Sequence, residues 1–238
     1  MIKGDVLLTG GSGGIGSQIV RSLSGENITV LNLDQKLERE LYKNEIFLKI
    51  DLSNFSSNQT EYKKIINNLN IWNVVHCAGY GGKFVTIDEL GMDDWNKIFQ
   101  INLNSIYQIL INFLPLWKKN KYGRFVAIAS SLSIVGAKYS VAYSSSKHAL
   151  LGFTKSVGAE WGEYGITSNS ISPGYVETDM GVQELEVGDH RKKILEMTPS
   201  KKIAKPEEIA RVVQFILDGD SGYINGSNWT VDGGITAI

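Results

Sequence analysis

The fold of this chain is decided by residues 9–16, which read Thr-Gly-Gly-Ser-Gly-Gly-Ile-Gly. The apolar run from Asp5 to Thr9 predicts a β-strand before them, and apolar residues at helical spacing follow from Ile15 to Leu23. Glycines between a strand and a helix let backbone N–H groups approach a pyrophosphate, and the helix N-terminus favours that anion. We therefore expect a dinucleotide-binding loop. Its expected contacts are Gly10, Ser12, Gly13, Gly14, Ile15 and Gly16.

The alternation of strand and helix continues along the chain. Further strands are predicted at residues 28–33, 46–50, 73–77, 124–129, 167–172 and 228–231. Helices are predicted at residues 61–69, 92–117, 141–161 and 206–217, with a stub of helix between Leu33 and Ile46. This order predicts an α/β fold, a Rossmann-type doubly wound parallel sheet of about seven strands with helices on both faces. Residues 1–238 are expected to form a single dinucleotide-binding and catalytic domain.

Composition excludes several classes of function. The 238 residues are 42% hydrophobic, and 24 Lys and Arg against 25 Asp and Glu give a net charge of −1. That balance argues against nucleic-acid binding through positive charge. One cysteine and three histidines show no metal-ligand spacing, so no metal is expected. We see no signal peptide and no membrane span, so a cytoplasmic location is expected.

Asp34 bears on the choice of cofactor. It lies 18 residues past Gly16, at the end of the second predicted strand. A carboxylate there can accept hydrogen bonds from the adenosine ribose hydroxyls and would repel a 2′-phosphate. Because Lys36 is nearby and could weaken this discrimination, we favour NAD and keep NADP as the alternative.

Tyr143 and Lys147 are candidates for acid–base chemistry. They are four residues apart on a predicted helix and therefore share a face, with a rise of about 6 Å between them. A nearby ammonium group lowers a tyrosine pKa from its usual value of about 10 and makes the hydroxyl a usable general acid or base. Ser130 follows the fifth predicted strand, whose carboxyl end should face the ligand crevice, and Asn102 lies in the preceding long helix.

These motifs, taken in order, resemble those of the short-chain dehydrogenase/reductase family in its single-domain form. The resemblance covers essentially the whole chain. The matching pieces are residues 9–16, Asp51-Leu52, Ala78-Gly79, Asn102-Leu103, Ser130, Tyr143 to Lys147, Pro173 to Thr178 and Val231-Asp232-Gly233-Gly234.

The resemblance implies a catalytic role for four residues. Tyr143 would protonate a carbonyl oxygen or deprotonate an alcohol, and Lys147 would lower its pKa and hold the nicotinamide ribose. Ser130 would hydrogen-bond the substrate oxygen, and Asn102 would support a water that relays protons to Lys147. Ser131 competes for the serine role, but the spacing of 13 positions before Tyr143 favours Ser130.

The resemblance also implies cofactor contacts outside the glycine-rich loop of residues 9–16. Asp51 and Leu52 would lie near the adenine, and Ala78 and Gly79 near the ribose. The segment after the sixth strand would contribute Pro173, Gly174, Val176 and Thr178. The family commonly has two asparagines where His76 and Cys77 stand here. We expect His76 to be a buried structural residue and Cys77 a small apolar one.

Several interpretations of the function stay open. The first is an NAD(P)-dependent reductase that transfers a hydride between nicotinamide and a ketone or secondary alcohol, acting on a 3-oxoacyl thioester. The second is a dehydrogenase of a cyclic alcohol or dihydrodiol, and the third is a non-catalytic dinucleotide-binding sensor. Enoyl reductases of related fold place their tyrosine and lysine further apart than four residues. A lid over the substrate is expected at about 179–202, and its basic residues could attract an acidic substrate or an acyl carrier.

The two long helices carry more apolar residues than one sheet face needs. We therefore expect a homotetramer, with a dimer as the alternative. The expected partner is a small-molecule substrate, and no nucleic-acid or membrane partner is expected. The apolar residues concerned are Tyr107, Leu110, Ile111, Leu114, Leu150, Leu151, Phe153 and Trp161.

Overall fold

The computed structural model describes residues 1–26, 28–178 and 189–237. Its strands are β1 (Asp5–Thr9), β2 (Val30–Asp34), β3 (Glu45–Lys49), β4 (Ile71–His76), β5 (Gly123–Ile128), β6 (Ile166–Pro173) and β7 (Asn228–Val231). They form one parallel sheet in the order β3-β2-β1-β4-β5-β6-β7, as expected for a Rossmann-type fold. The order reverses beside β1, and ligands bind at such a reversal, outside the carboxyl ends of the strands.

Helices cover both faces of the sheet, as predicted. They are α1 (Gly14–Gly25), α2 (Gln59–Ile66), α3 (Met92–Phe99), α4 (Ser105–Leu110), α5 (Leu114–Asn120), α6 (Val141–Trp161), α7 (His190–Met197) and α8 (Pro206–Leu217). Alternation along β1 sends Val6 and Leu8 into the core with α1 and α8, and Leu7 into the core with α4, α5 and α6. Each face of the sheet therefore has its own apolar core.

The helix predicted at residues 92–117 is not continuous. A π-helical turn at Gln100–Asn104 separates α3 from α4, and a turn at residues 111–113 separates α4 from α5. Pro115 lies in the first turn of α5, because proline lacks the N–H that a helix interior requires. The π-helical turn matters for the site because it carries Asn102.

The stub of helix predicted between β2 and β3 is wrong, since residues 35–44 contain no helix. Instead, the Arg39 guanidinium reaches the Glu45 carboxylate with two hydrogen bonds of 2.7 and 2.8 Å. Tyr42 N–H donates to the same carboxylate at 3.0 Å. These side-chain contacts order the connection where backbone helix bonds were expected.

The expected lid is described only in part. Residues 179–188 lie outside the described residues, and the remainder contains α7, whose Ile194 packs with Ile203. Two of its basic residues are paired with acids: Arg191 with Glu177 at 3.2 Å, and Lys202 with Glu208 at 2.6 Å. Among the described residues, no helix is long and apolar enough to cross a membrane.

The apolar residues expected at a subunit interface divide into three groups. Leu110, Leu114 and Leu150 are buried in this chain's own core, so the expectation is wrong for them. Leu151, Phe153 and Trp161 are partly buried against that core. Tyr107 and Ile111 remain on the surface, with 56% and 46% of their areas exposed.

Candidate active site

The glycine-rich loop is shaped to admit a pyrophosphate. Gly10 has a φ of +73°, and a Cβ there would lie 2.6 Å from Ala78 N. A Cβ on Gly16 would overlap the Gly10 carbonyl oxygen, and one on Gly14 would lie 2.5 Å from Thr178 Cγ2. Helix α1 begins at Gly14 with no acidic residue in its first turn, so its unsatisfied N–H groups suit an anion. The described residues therefore fit a dinucleotide.

Two aspartates lie beside this loop at the ends of strands. Asp34 accepts a hydrogen bond from Ser12 N at 3.0 Å, which fixes its carboxylate at the edge of the loop. Asp51 accepts from Gln35 Nε2 at 2.8 Å and from Ser53 N at 2.9 Å. Burial opposes ionisation of Asp51, but these hydrogen bonds outweigh it and lower its pKa. Hydrogen bonds therefore hold both carboxylates in place close to the ends of β2 and β3.

Lys147 is a buried ammonium group next to Tyr143. The two residues are one turn apart on α6, and Lys147 Nζ lies 5.7 Å from the centre of the Tyr143 ring. Its hydrogen bond goes to the Ile128 carbonyl at 2.8 Å, at the end of β5. Burial lowers the pKa of Lys147 to about 8. The structure thus brings the predicted proton-transfer pair together at the sheet edge where ligands bind.

Ser130 follows β5 by two residues and begins a short 3₁₀ helix at Ser131–Ser133. Its Oγ accepts a hydrogen bond from Leu132 N at 3.1 Å, and its N–H donates to Ser133 Oγ at 3.0 Å. This reciprocal pair fixes the side chain and leaves its hydroxyl proton to donate elsewhere. Because the strand ends at Ile128, strand alternation does not orient Ser131, which lies in the first turn of the 3₁₀ helix.

The Asn102 side chain joins three segments of the site. Its Oδ1 accepts from Tyr80 N at 2.8 Å, and its Nδ2 donates to Tyr80 O at 3.1 Å and to Ser146 Oγ at 2.9 Å. Ser146 Oγ donates in turn to Tyr143 O at 2.7 Å. Asn102 thus fixes the loop after β4 and the catalytic turn of α6 relative to each other.

His76 is fully buried, as expected, and connects β1 to Asn102. The backbone carbonyl of Asn102 can only accept a hydrogen bond, so His76 Nε2 donates to it at 3.1 Å. The other ring nitrogen, Nδ1, therefore accepts from Thr9 Oγ1 at 2.8 Å. Ala78 N–H donates to the same threonine oxygen at 3.3 Å. Burial, with the charge of Lys147, lowers the pKa of His76 to about 3, so the ring is neutral.

Several of the remaining predicted cofactor residues lie beside Lys147 or the glycine-rich loop. A Cβ on Gly79 would lie 3.5 Å from Lys147 Nζ, and one on Gly174 would lie 2.9 Å from Asp232 Cα. The side chains of Leu52 and Val176 pack in the two cores, so their contacts with a cofactor would come from the backbone. The partly buried side chain of Ile15 packs against the same core as Val176, Pro173 ends β6, and Thr178 lies against Gly14.

Sequence reasoning missed four residues that shape the site: Thr9, Asn32, Tyr80 and Ser146. Asn32 Oδ1 accepts from Gly11 N at 3.0 Å, and this bond attaches the glycine-rich loop to β2. Three of them carry a sequence signal. Thr9 ends β1, Asn32 is a polar residue in the middle of the apolar strand β2, and Ser146 lies one turn after Tyr143. Nothing in the sequence alone marks Tyr80, which contributes only its backbone to these bonds.

Comparisons with known proteins agree with this geometry. A family model described as enoyl-(acyl carrier protein) reductase matches residues 10–236. The 3-oxoacyl-(acyl-carrier-protein) reductase FabG of Buchnera aphidicola is 31% identical over 98% of this chain and 97% of its own length. Cyclohexanol dehydrogenase of Acinetobacter is 26% identical over 97% and 94%. The solved structure of ElxO with NADP bound has a TM-score of 0.90 and 26% identity over 100% of both chains.

These matches cover nearly the whole chain, and they agree with the fold and with the predicted motifs. The chain belongs to the short-chain dehydrogenase/reductase family and is an NAD(P)-dependent oxidoreductase of that family. The prediction of an NAD(P)-dependent enzyme, made from the order of the motifs, is therefore confirmed.

Proposed function

We propose that this protein is an NAD-preferring ketoreductase whose substrate is a 3-oxoacyl thioester. The observation that carries the chemistry is the buried Lys147 ammonium one helical turn from Tyr143. The substrate class rests on similarity to FabG, which reduces a 3-oxoacyl carrier, and on the four-residue spacing of tyrosine and lysine. That spacing favours a ketone substrate over the enoyl substrate in the family model's description.

The proposed mechanism uses four side chains. When bound, a reduced nicotinamide supplies the hydride to the carbonyl carbon. Tyr143 donates the proton to the carbonyl oxygen, and Lys147 lowers the cost of the resulting phenolate. Ser130, whose Oγ is fixed by Leu132 N, donates a hydrogen bond to the same substrate oxygen and keeps its proton. Asn102 acts as a positioning residue through its bonds to Tyr80 and Ser146.

For the cofactor, we propose NAD, selected by Asp34, with NADP as the alternative. The carboxylate lies within hydrogen-bond distance of Ser12 N and would face the ribose 2′ position. A 2′-phosphate there would meet a negative charge, which raises the cost of binding NADPH. The NADP bound by ElxO shows that this fold also admits the phosphorylated cofactor in a relative.

We further propose a cytoplasmic homotetramer, with a dimer as the alternative. The support is a groove of about 470 Å³ between α4 and α6, which is lined in part by Tyr107, Gln108 and Phe153. The exposed rings and aliphatic side chains beside this groove would be covered by a second copy of the same helices.

The experiment is a matrix of two cofactors and two substrates with the purified protein. We expect the fastest turnover for an acetoacetyl thioester with NADH, followed by absorbance of the reduced nicotinamide. Cyclohexanol oxidation with NAD is the second arm, because a cyclohexanol dehydrogenase is among the relatives. Turnover of cyclohexanol with none of the thioester would overturn the proposed substrate class.

A further inference from the structure

A buried polar network between β2 and the start of β3 has no part in the proton transfer. It surrounds the carboxylate of Glu45, the first residue of β3. Asn32 Nδ2 donates to Glu45 Oε1 at 2.9 Å, and Tyr42 N donates to Oε2 at 3.0 Å. Arg39 donates to both oxygens, at 2.7 and 2.8 Å. All four groups bonded to this carboxylate are donors.

The ion pair between Glu45 and Arg39 is shielded from water. The Glu45 side chain is fully buried, and 22% of the Arg39 side chain is exposed. The guanidinium lies 4.1 Å from the centre of the Tyr42 ring, which covers one of its faces. Burial alone would raise the pKa of Glu45, but the hydrogen bonds from Arg39, Tyr42 and Asn32 lower it. The carboxylate is therefore charged and neutralises the arginine.

The same arginine touches the loop that would hold the cofactor. Its Nη2 also reaches the Gly11 carbonyl at 3.3 Å, while Asn32 Oδ1 accepts from Gly11 N at 3.0 Å. The next residue, Ser12, donates its N–H to Asp34 at 3.0 Å. Arg39 and Asp34 thus contact adjacent residues of the loop, so both side chains approach the same turn of the dinucleotide site.

A planar guanidinium is the side chain best suited to bind a phosphate with two parallel hydrogen bonds. Arg39 is the only arginine between β2 and β3, and its paired hydrogen bonds go to Glu45. We propose that Glu45 is a specificity-determining residue, which withholds Arg39 from a 2′-phosphate and so favours NAD over NADP. This inference rests on the dinucleotide site of the proposed function. It adds a second determinant to Asp34, one that acts through another residue.

The test measures the dissociation constants of NADH and NADPH by fluorescence titration. We expect Glu45→Gln to lower the ratio of Kd for NADPH to Kd for NADH about tenfold or more, a change of at least about 1.4 kcal/mol. A glutamine has no charge to hold the guanidinium, and its amide N–H groups would face other donors. Glu38→Gln is the matched control, since Glu38 lies in the same connection but is exposed and paired with Lys36. Its ratio should equal that of the wild type.

Two further variants assign the effect to Arg39. In Glu45→Gln/Arg39→Gln the ratio should return toward the wild-type value, because the released guanidinium is gone. Arg39→Gln alone should change both dissociation constants by the same factor, so that their ratio stays at the wild-type value. This measurement does not depend on whether Glu45→Gln folds. A folded Glu45→Gln with the wild-type ratio, or a selective loss of NADPH binding in Arg39→Gln, would overturn the inference. A wild type that binds neither dinucleotide would overturn the dinucleotide site as well, and so the two failures are distinguishable.

Discussion

Two basic side chains, His76 and Lys147, are buried close to Asn102, and the site keeps only one of them charged. The His76 ring must be neutral to accept from Thr9 while it donates to the Asn102 carbonyl. Lys147 has its own acceptor in the Ile128 carbonyl. The single ammonium charge is therefore placed beside the Tyr143 ring, where a phenolate would form during turnover.

The buried His76 predicts a loss of stability in acid. Its pKa is lowered from 6.5 to about 3, so between these values the unfolded chain binds a proton that the folded chain does not. Stability should be complete above pH 6.5 and fall as pH drops, by about 2 kcal/mol between pH 7.5 and pH 5. His76→Asn should lose this part of the dependence in urea unfolding at the two pH values. The exposed His148→Asn is the control, and equal pH dependence in all three proteins would refute the prediction.

Asp34 carries the prediction on cofactor preference. In Asp34→Ala the repulsion of a 2′-phosphate is removed, and the acceptor for the ribose hydroxyls is lost. We expect kcat/KM with NADPH to rise relative to NADH by about tenfold, which corresponds to about 1.4 kcal/mol. Steady-state kinetics with both cofactors measure this ratio. If it does not move, Asp34 is not a selector.

At the scale of elements, α6, α8, β1 and β7 lie where the sequence predicts them, residue for residue. Each has a local signal, such as Pro206 in the first turn of α8 or the unbroken helical pattern of α6. The π-helical turn and the β2–β3 connection could not be predicted in this way. The π-helical turn carries Asn102, whose side chain bonds to Ser146 far along the chain. The β2–β3 connection is ordered by bonds from Arg39 and Tyr42 to Glu45, which no periodic pattern marks.

The candidate site, like the secondary structure, could be predicted only where the sequence carries a local motif. The order of motifs along the chain was enough to predict Tyr143, Lys147, Ser130 and Asn102, which the structure gathers at the carboxyl ends of the strands. The network of Asn32, Arg39 and Glu45 was not predictable, because no motif marks an ion pair in a connection of irregular backbone.

The packing of the glycine-rich loop predicts different effects for alanine at two of its glycines. A Cβ on Gly16 would overlap the Gly10 carbonyl, whereas a Cβ on Gly13 would meet only that oxygen, at 3.7 Å. Gly16→Ala should lower the free energy of unfolding by about 1–3 kcal/mol and weaken NADH binding. Gly13→Ala should unfold like the wild type. Urea unfolding and a fluorescence titration measure both effects, and equal behaviour of the two variants would contradict the packing argument.

At the scale of the whole molecule, the groove between α4 and α6 predicts association. Tyr107→Asp would place a charge on the apolar surface beside Phe153, and we expect the proposed tetramer to dissociate to smaller species in light scattering. Leu41→Asp changes an equally exposed apolar residue in the β2–β3 connection and should leave the mass unchanged. A wild type with the 26.3 kDa mass of one chain would contradict the proposal.

The parallel sheet explains how residues far apart in sequence can act together. Reversal of the strand order beside β1 brings the glycine-rich loop, the loop after β4 and the start of α6 to one edge of the sheet. The central claim is that this edge transfers a proton through Tyr143, supported by the buried charge of Lys147.

The most direct measurement compares the rate of NADH oxidation by an acetoacetyl thioester in the wild type, Tyr143→Phe and Tyr139→Phe. Fluorescence titration sets equal NADH occupancy in all three. We predict that Tyr143→Phe loses about 10²–10⁴-fold in rate while it binds NADH as the wild type does. Tyr139→Phe, which changes an exposed tyrosine near the site, should keep the wild-type rate. A Tyr143→Phe variant that turns over at the wild-type rate would contradict the account.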